Sequence, residues 1–201
     1  KLISLLEYED TSKLIACYAS GVRLYDSGYL KTLPAIGSKA QILCGEVVAN
    51  YLLYNQVNSQ FFYGSGTPTC SLMARVNTFN EVGGFDVNLR RVEDIDFAIR
   101  LSIKGGCFAG TKKELFKQYS TSSIDKSPLK NLNAEQMLVT KFKEYLDKKN
   151  LYEYAYRWPK LRFFHFTSQY HFLLKELIVL IFLHPYRTIN HFFRTGSQRL
   201  I

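Results

Sequence analysis

Residues 83–106 read GGFDVNLRRVEDIDFAIRLSIKGG, and this segment constrains the fold more than any other. Two adjacent glycines end whatever helix precedes them, because glycine takes up the left-handed conformation of a helix cap without a steric cost. Glu93, Asp94 and Asp96 then fall within four positions. The unpaired amides and the positive end of a helix dipole favour carboxylates at such a place. A helix is therefore expected from about Glu93 to a stop at Gly105, with Asp96 and Arg100 spaced i,i+4 for a surface ion pair.

The flanking segments alternate strand and helix signals. KLIACYASGVRLYD (13–26) reads as a strand or strand pair punctuated by Gly21, and GEVVANYLLYN (45–55) as a helix. The Gly64–Pro68 loop leads into CSLMARV (70–76), a buried strand, and NTFNEV (77–82) is one or two helical turns. CFAGTKKELFKQYST (107–121) supplies one or two short strands, followed by a polar linker over 120–131. At the other end of the chain, KLISLLEYE (1–9) reads as a helix.

From Asn133 the pattern is helical throughout. Asn133 with Gln136 fits a capping box, and Ala134, Met137, Leu138, Phe142, Tyr145 and Leu146 form one apolar stripe. A second helical block is expected over about 160–183, where Phe163, Phe166, Tyr170, Leu173, Leu177 and Leu180 recur at helical spacing. Lys175 and Glu176 at its centre would each cost about 2.5 to 3.5 kcal/mol in a membrane span. The block therefore either packs against protein or lies in a membrane interface.

At 201 residues and 47% apolar content, the chain can build one sizeable core with an appendage, which excludes a disordered polymer. Its net charge of +9 is unevenly placed, since residues 129–201 hold 12 Lys and Arg against 5 Asp and Glu, or +7. Thirteen of the 30 aromatic residues lie between Tyr152 and Phe193. Aromatic and basic residues together suit an anionic membrane surface, although a solvated basic helix face uses the same residues. No nucleic-acid-binding motif accompanies them, and the four histidines have no metal-ligand spacing. Cys17, Cys44, Cys70 and Cys107 are scattered, and we read them as four unpaired thiols in a reducing cytosol.

In order and spacing, Gly83, Gly84, Phe85 and Asp86, then Glu93, Asp94 and Asp96, then Arg100, Leu101 and Gly105 resemble the acceptor half of the inverting family 2 glycosyltransferases of the GT-A fold. The preceding GTPTCSLMARVNTFNEV is similar to that family's lead-in to the motif, and the resemblance covers residues 1–150. It implies an α/β fold: part of a GT-A catalytic domain in residues 1–128, followed by a helical, basic and aromatic extension in residues 129–201. It further implies sugar transfer, of hexosyltransferase type, from a nucleotide-sugar donor to a saccharide or lipid-linked acceptor, in surface polysaccharide or glycoconjugate assembly. Asp94 falls on the family's general base. Glu93 falls beside it, as an acceptor-binding or loop-orienting group, and Gly83 and Gly84 would let backbone approach the sugar. Asp96 is expected to hold Arg100.

The family also uses a DxD motif to hold Mg or Mn on the donor diphosphate, and the only such triplet here, at 94–96, belongs to the other motif. The chain is therefore expected to be the C-terminal part of a longer enzyme, inactive alone and without metal ligands of its own. Gln118 and Tyr119 stand where many relatives carry His or Arg. Lys112, Lys113 and Lys117 either meet diphosphate charge or line a solvated strand edge. The expected location is cytoplasmic, with the tail either peripheral on the inner membrane face or packed on the core. The alternative function is a non-catalytic membrane-docking or scaffolding module on a degenerate transferase fold.

Overall fold

The computed structural model describes residues 14–39, 42–120 and 127–196; the expected helix over 1–9 lies outside them. The chain forms two compact units, residues 1–122 and 123–201. The first is mixed α/β around a mixed sheet.

That sheet is built on β1 (Ile15–Leu24). The other strands are β2 (Leu30–Leu33), β3 (Leu43–Cys44), β4 (Leu72–Ala74) and β5 (Cys107–Tyr119). On one side β1 runs parallel to β5, and β5 pairs antiparallel with β3. On its other side β1 pairs antiparallel with β4 over Ala16–Tyr18 and with β2 over Gly21–Leu24. Both edges of β1 are thus used, and Ile15–Ala19 is buried.

Alternation along β1 sorts its side chains onto two faces. Ala16 and Tyr18 join Phe108 beneath two helices, α1 (Val47–Tyr54) and α3 (Glu93–Ile103), which contribute Val48, Phe97, Ala98 and Leu101. Ile15 and Cys17 face the other way and pack with Cys107, Ala109, Ile42 and Met73. Ser102 of α3 ties the helical layer together, donating to Gly45 O at 2.6 Å and accepting from Ala49 N at 2.8 Å.

Several expectations are corrected here. Gly21 does not interrupt β1; a Cβ there would sit 2.5 Å from the Phe116 ring, so glycine makes room for that ring. The register of β1 against β5 slips between Ala19 and Gly21, a bulge. This keeps 107–119 a single 13-residue strand rather than two. β4 is half-buried rather than buried. Cys44 and Cys107 are not free thiols: they are register partners on β3 and β5 and form a disulfide, leaving Cys17 and Cys70 free.

The second unit is helical: α4 (Pro128–Lys141), α5 (Lys143–Asp147), α6 (Tyr152–Phe166), α7 (Tyr170–Leu183) and α8 (Pro185–Gly196). Its first helix starts at Ser127, whose hydroxyl accepts from Lys130 N, with Pro128 in the first turn; Asn133 and Gln136 lie inside the helix and form no cap. The apolar stripe is only partly buried, through Leu138, Phe142 and Leu146, while Met137 is exposed. The block expected over 160–183 is broken by the turn Thr167–Gln169, where Ser168 is left-handed at φ 56°. Glu176 is tolerated in α7 because Arg157 and Lys160 of α6 reach it at 3.0 and 3.4 Å. His191 stacks on Trp158 at 3.4 Å and hydrogen-bonds the Tyr154 hydroxyl at 3.0 Å, which is a packing role.

Candidate active site

The residues singled out in sequence lie where α2 (Val76–Val82) hands over to α3. Helix α2 ends in a Schellman motif: Gly84 N donates to Phe79 O at 2.8 Å and Gly83 N to Asn80 O at 3.2 Å. Gly83 and Gly84 have φ of 87° and 64°, so the backbone conformation itself calls for glycine. An added Cβ on Gly84 would meet open space, leaving that side of the turn approachable. Phe85 then folds back onto Phe79 and Phe97, with ring centroids 5.8 and 5.3 Å away. Asp86 closes the next turn by accepting from Asn88 N at 2.9 Å.

Arg100 locks this turn to α3. Its guanidinium donates to Val82 O and, at 2.6 Å, to Gly84 O. Its Nε and Nη2 lie 2.8 and 2.7 Å from Asp96 Oδ2. The Asp96–Arg100 pair expected from spacing therefore forms, but not on the surface: the Asp96 side chain is fully buried. Asp96 orients Arg100, and Arg100 holds the carbonyls of Val82 and Gly84. The i,i+4 spacing made the pair visible in sequence, whereas the carbonyl contacts, 16 and 18 residues away, had no local signal.

Asp94 and Glu93 occupy the first turn of α3. Both are half-buried. Burial raises the Asp94 carboxyl above the ordinary aspartate value, opposed by a 2.8 Å hydrogen bond from Ile95 N, with the neighbouring Glu93 charge adding to the rise. One oxygen of Glu93, Oε2, is buried and has no hydrogen-bond partner among the described residues.

The Tyr18 hydroxyl is in the same condition, buried and without a partner. Burial raises its pKa, and the charge of Asp94 pushes it further in the same direction. Tyr18 is a site candidate that sequence reasoning missed, because it reads only as one apolar position of a central strand. Asp94, Glu93 and Tyr18 together offer a proton acceptor and two buried oxygens whose hydrogen bonds remain to be made.

The remaining sequence candidates lie on β5. Gln118 accepts from Arg23 Nε and Nη2 at 3.0 and 2.8 Å, Tyr119 is exposed, and Lys112, Lys113 and Lys117 are solvated on β5. Among the described residues no three His, Cys, Asp or Glu side chains gather as a metal site. A cleft of about 350 Å³ lined by Leu132, Glu135, Arg162 and Phe163 belongs to the helical unit and contains none of these residues. Among the described residues no helix is long and apolar enough to cross a membrane. In comparisons with known proteins, no family model, no curated protein and no solved structure matches this chain.

Proposed function

We propose that this chain carries the acceptor side of an inverting glycosyltransferase, which moves a sugar from a nucleotide-sugar donor to an acceptor hydroxyl. The observation that carries the reading is Asp94: a half-buried carboxylate at the start of α3, the helix that Arg100 ties to the glycine turn, whose proton is held more tightly than usual. A hydroxyl is a poor nucleophile, and a nearby carboxylate with raised basicity is suited to remove its proton. The acceptor oxygen attacks the sugar C1 as the C1–O bond to the diphosphate breaks. The hydroxyl proton passes to Asp94, and the nucleoside diphosphate leaves with the bonding electrons. Glu93, its neighbour in the first turn of α3, binds the acceptor or orients the loop.

The test is transfer from nucleotide-sugar donors by the natural protein and by Asp94→Asn. Loss of turnover with the donor affinity kept supports the reading. An unchanged rate overturns it.

A further inference from the structure

Helix α8 is amphipathic the wrong way round for a helix in water. Its inward face carries polar side chains: Thr188 and His191 are 1% and 8% exposed. Thr188 Oγ1 donates to Leu180 O at 2.8 Å, and His191 meets Tyr154 and Trp158. Its outward face carries Tyr186, Ile189 and Phe193, of which Tyr186 and Phe193 are 83% and 71% exposed. The preceding helix behaves alike, since among its 14 residues only Leu180 is buried, and Phe182 is 84% exposed. Phe182, Leu183 and Tyr186 are exposed on both sides of the His184–Pro185 junction, so exposed apolar residues run from one helix into the next. Isolated exposed apolar residues are ordinary, but a continuous face of this kind marks an interaction surface.

We propose that the α7–α8 face docks on the surface of an anionic lipid bilayer, lying in the interfacial plane. Length excludes crossing: at 14 residues α7 is about 21 Å long, short of the roughly 30 Å hydrocarbon core. Charge selects the lipid. Lys175 of α7 and Arg194 of α8 are exposed, within a segment carrying +7 over 129–201. Basic residues around an inserted aromatic face are drawn to anionic headgroups. A second copy of the chain is the other occupant of matching polarity, but a two-fold contact would set this positive surface against itself, where like charges repel. Tyr170 and Tyr186, both exposed, have the apolar body and polar tip suited to the headgroup boundary.

The test is co-sedimentation of the whole chain with vesicles of phosphatidylcholine, with and without phosphatidylglycerol. Binding is expected to the anionic vesicles, to weaken as salt rises above about 0.1 M, and to fall at least tenfold in Phe182→Ser/Phe193→Ser. Both positions are solvent-exposed, so the variant's near-ultraviolet circular dichroism and thermal midpoint serve as the fold control. Equal binding of wild type and variant overturns the proposal, as does equal binding to neutral and anionic vesicles. A dimer by light scattering with no vesicle binding assigns the face to a second copy and also overturns it. No donor or acceptor is involved, so the outcome is independent of the transfer reading.

Discussion

Arg100 Nη2 lies 2.6 Å from the carbonyl oxygen of Gly84, sixteen residues earlier in the chain. Through that contact α3 holds the turn that precedes it, and the buried Asp96 carboxylate fixes the guanidinium from the other side at 2.7 Å. The first turn of α3, with Glu93 and Asp94, is thereby set against the glycine turn by one side chain.

Arg100→Met should therefore be costly in two ways. It removes the donors for Val82 O and Gly84 O and takes the cation away from a buried carboxylate, a change that typically costs about 3 to 5 kcal/mol. Urea denaturation should show a loss of that order. Asp96→Asn, which keeps an acceptor for Arg100, should cost less. Equal losses for the two variants would mean that Arg100 is not the organising group.

The Cys44–Cys107 disulfide joins positions 63 residues apart. Closing a loop of that length restricts the unfolded chain by about 4 kcal/mol in the entropy model, with about 2 to 4 kcal/mol the usual yield. Under non-reducing denaturing conditions, alkylation should label two of the four cysteines, Cys17 and Cys70. Addition of a reductant, or Cys44→Ser, should lower the thermal midpoint. Labelling of all four without reduction would show that the bond does not form.

What sequence could show here was local. The helix from Glu93, the glycine cap after Val82 and the strand within 13–26 rest on signals within a few residues, and all three are found. The disulfide escaped because it depends on β3 meeting β5, a pairing with no trace in the spacing of cysteines. The break in the second helical block escaped because apolar spacing continues through Thr167–Gln169, and only the left-handed Ser168 reveals the turn. Helix α4 instead starts at Ser127–Pro128, inside the segment expected to be a polar linker. The unsatisfied Tyr18 hydroxyl had no trace in sequence, because it is a property of its surroundings.

Two glycines should separate close packing from backbone conformation. A Cβ on Gly110 would lie 2.0 Å from Ile36 O, a backbone atom that cannot swing aside, so Gly110→Ala should cost about 3 kcal/mol, at the upper end of overpacking. Gly84→Ala meets open space and should cost only the left-handed backbone penalty, about 1 kcal/mol. Denaturant midpoints of the two variants test the ordering. A Gly84→Ala loss as large as that of Gly110→Ala would contradict the open space beside the turn.

Asp94 is expected to oppose stability while serving catalysis. Burial makes the folded protein bind the Asp94 proton more tightly than the unfolded chain does. Its favourable contribution is thus fully present below the ordinary aspartate value of 3.8 and is lost as pH rises through the higher folded value. At neutral pH the ionised group is a burden, so Asp94→Asn should leave the thermal midpoint unchanged or raise it, and should flatten its pH dependence on the acid side. Turnover should fall by about 10² to 10⁴ fold, the usual scale for loss of a general base. The acid limb of the rate profile of the natural protein should sit above the range of an exposed aspartate. Rate and midpoint measured on the same variant decide the matter. A near-normal rate with a lowered midpoint would make Asp94 a helix-start carboxylate of about 0.3 to 1 kcal/mol and remove it from the chemistry.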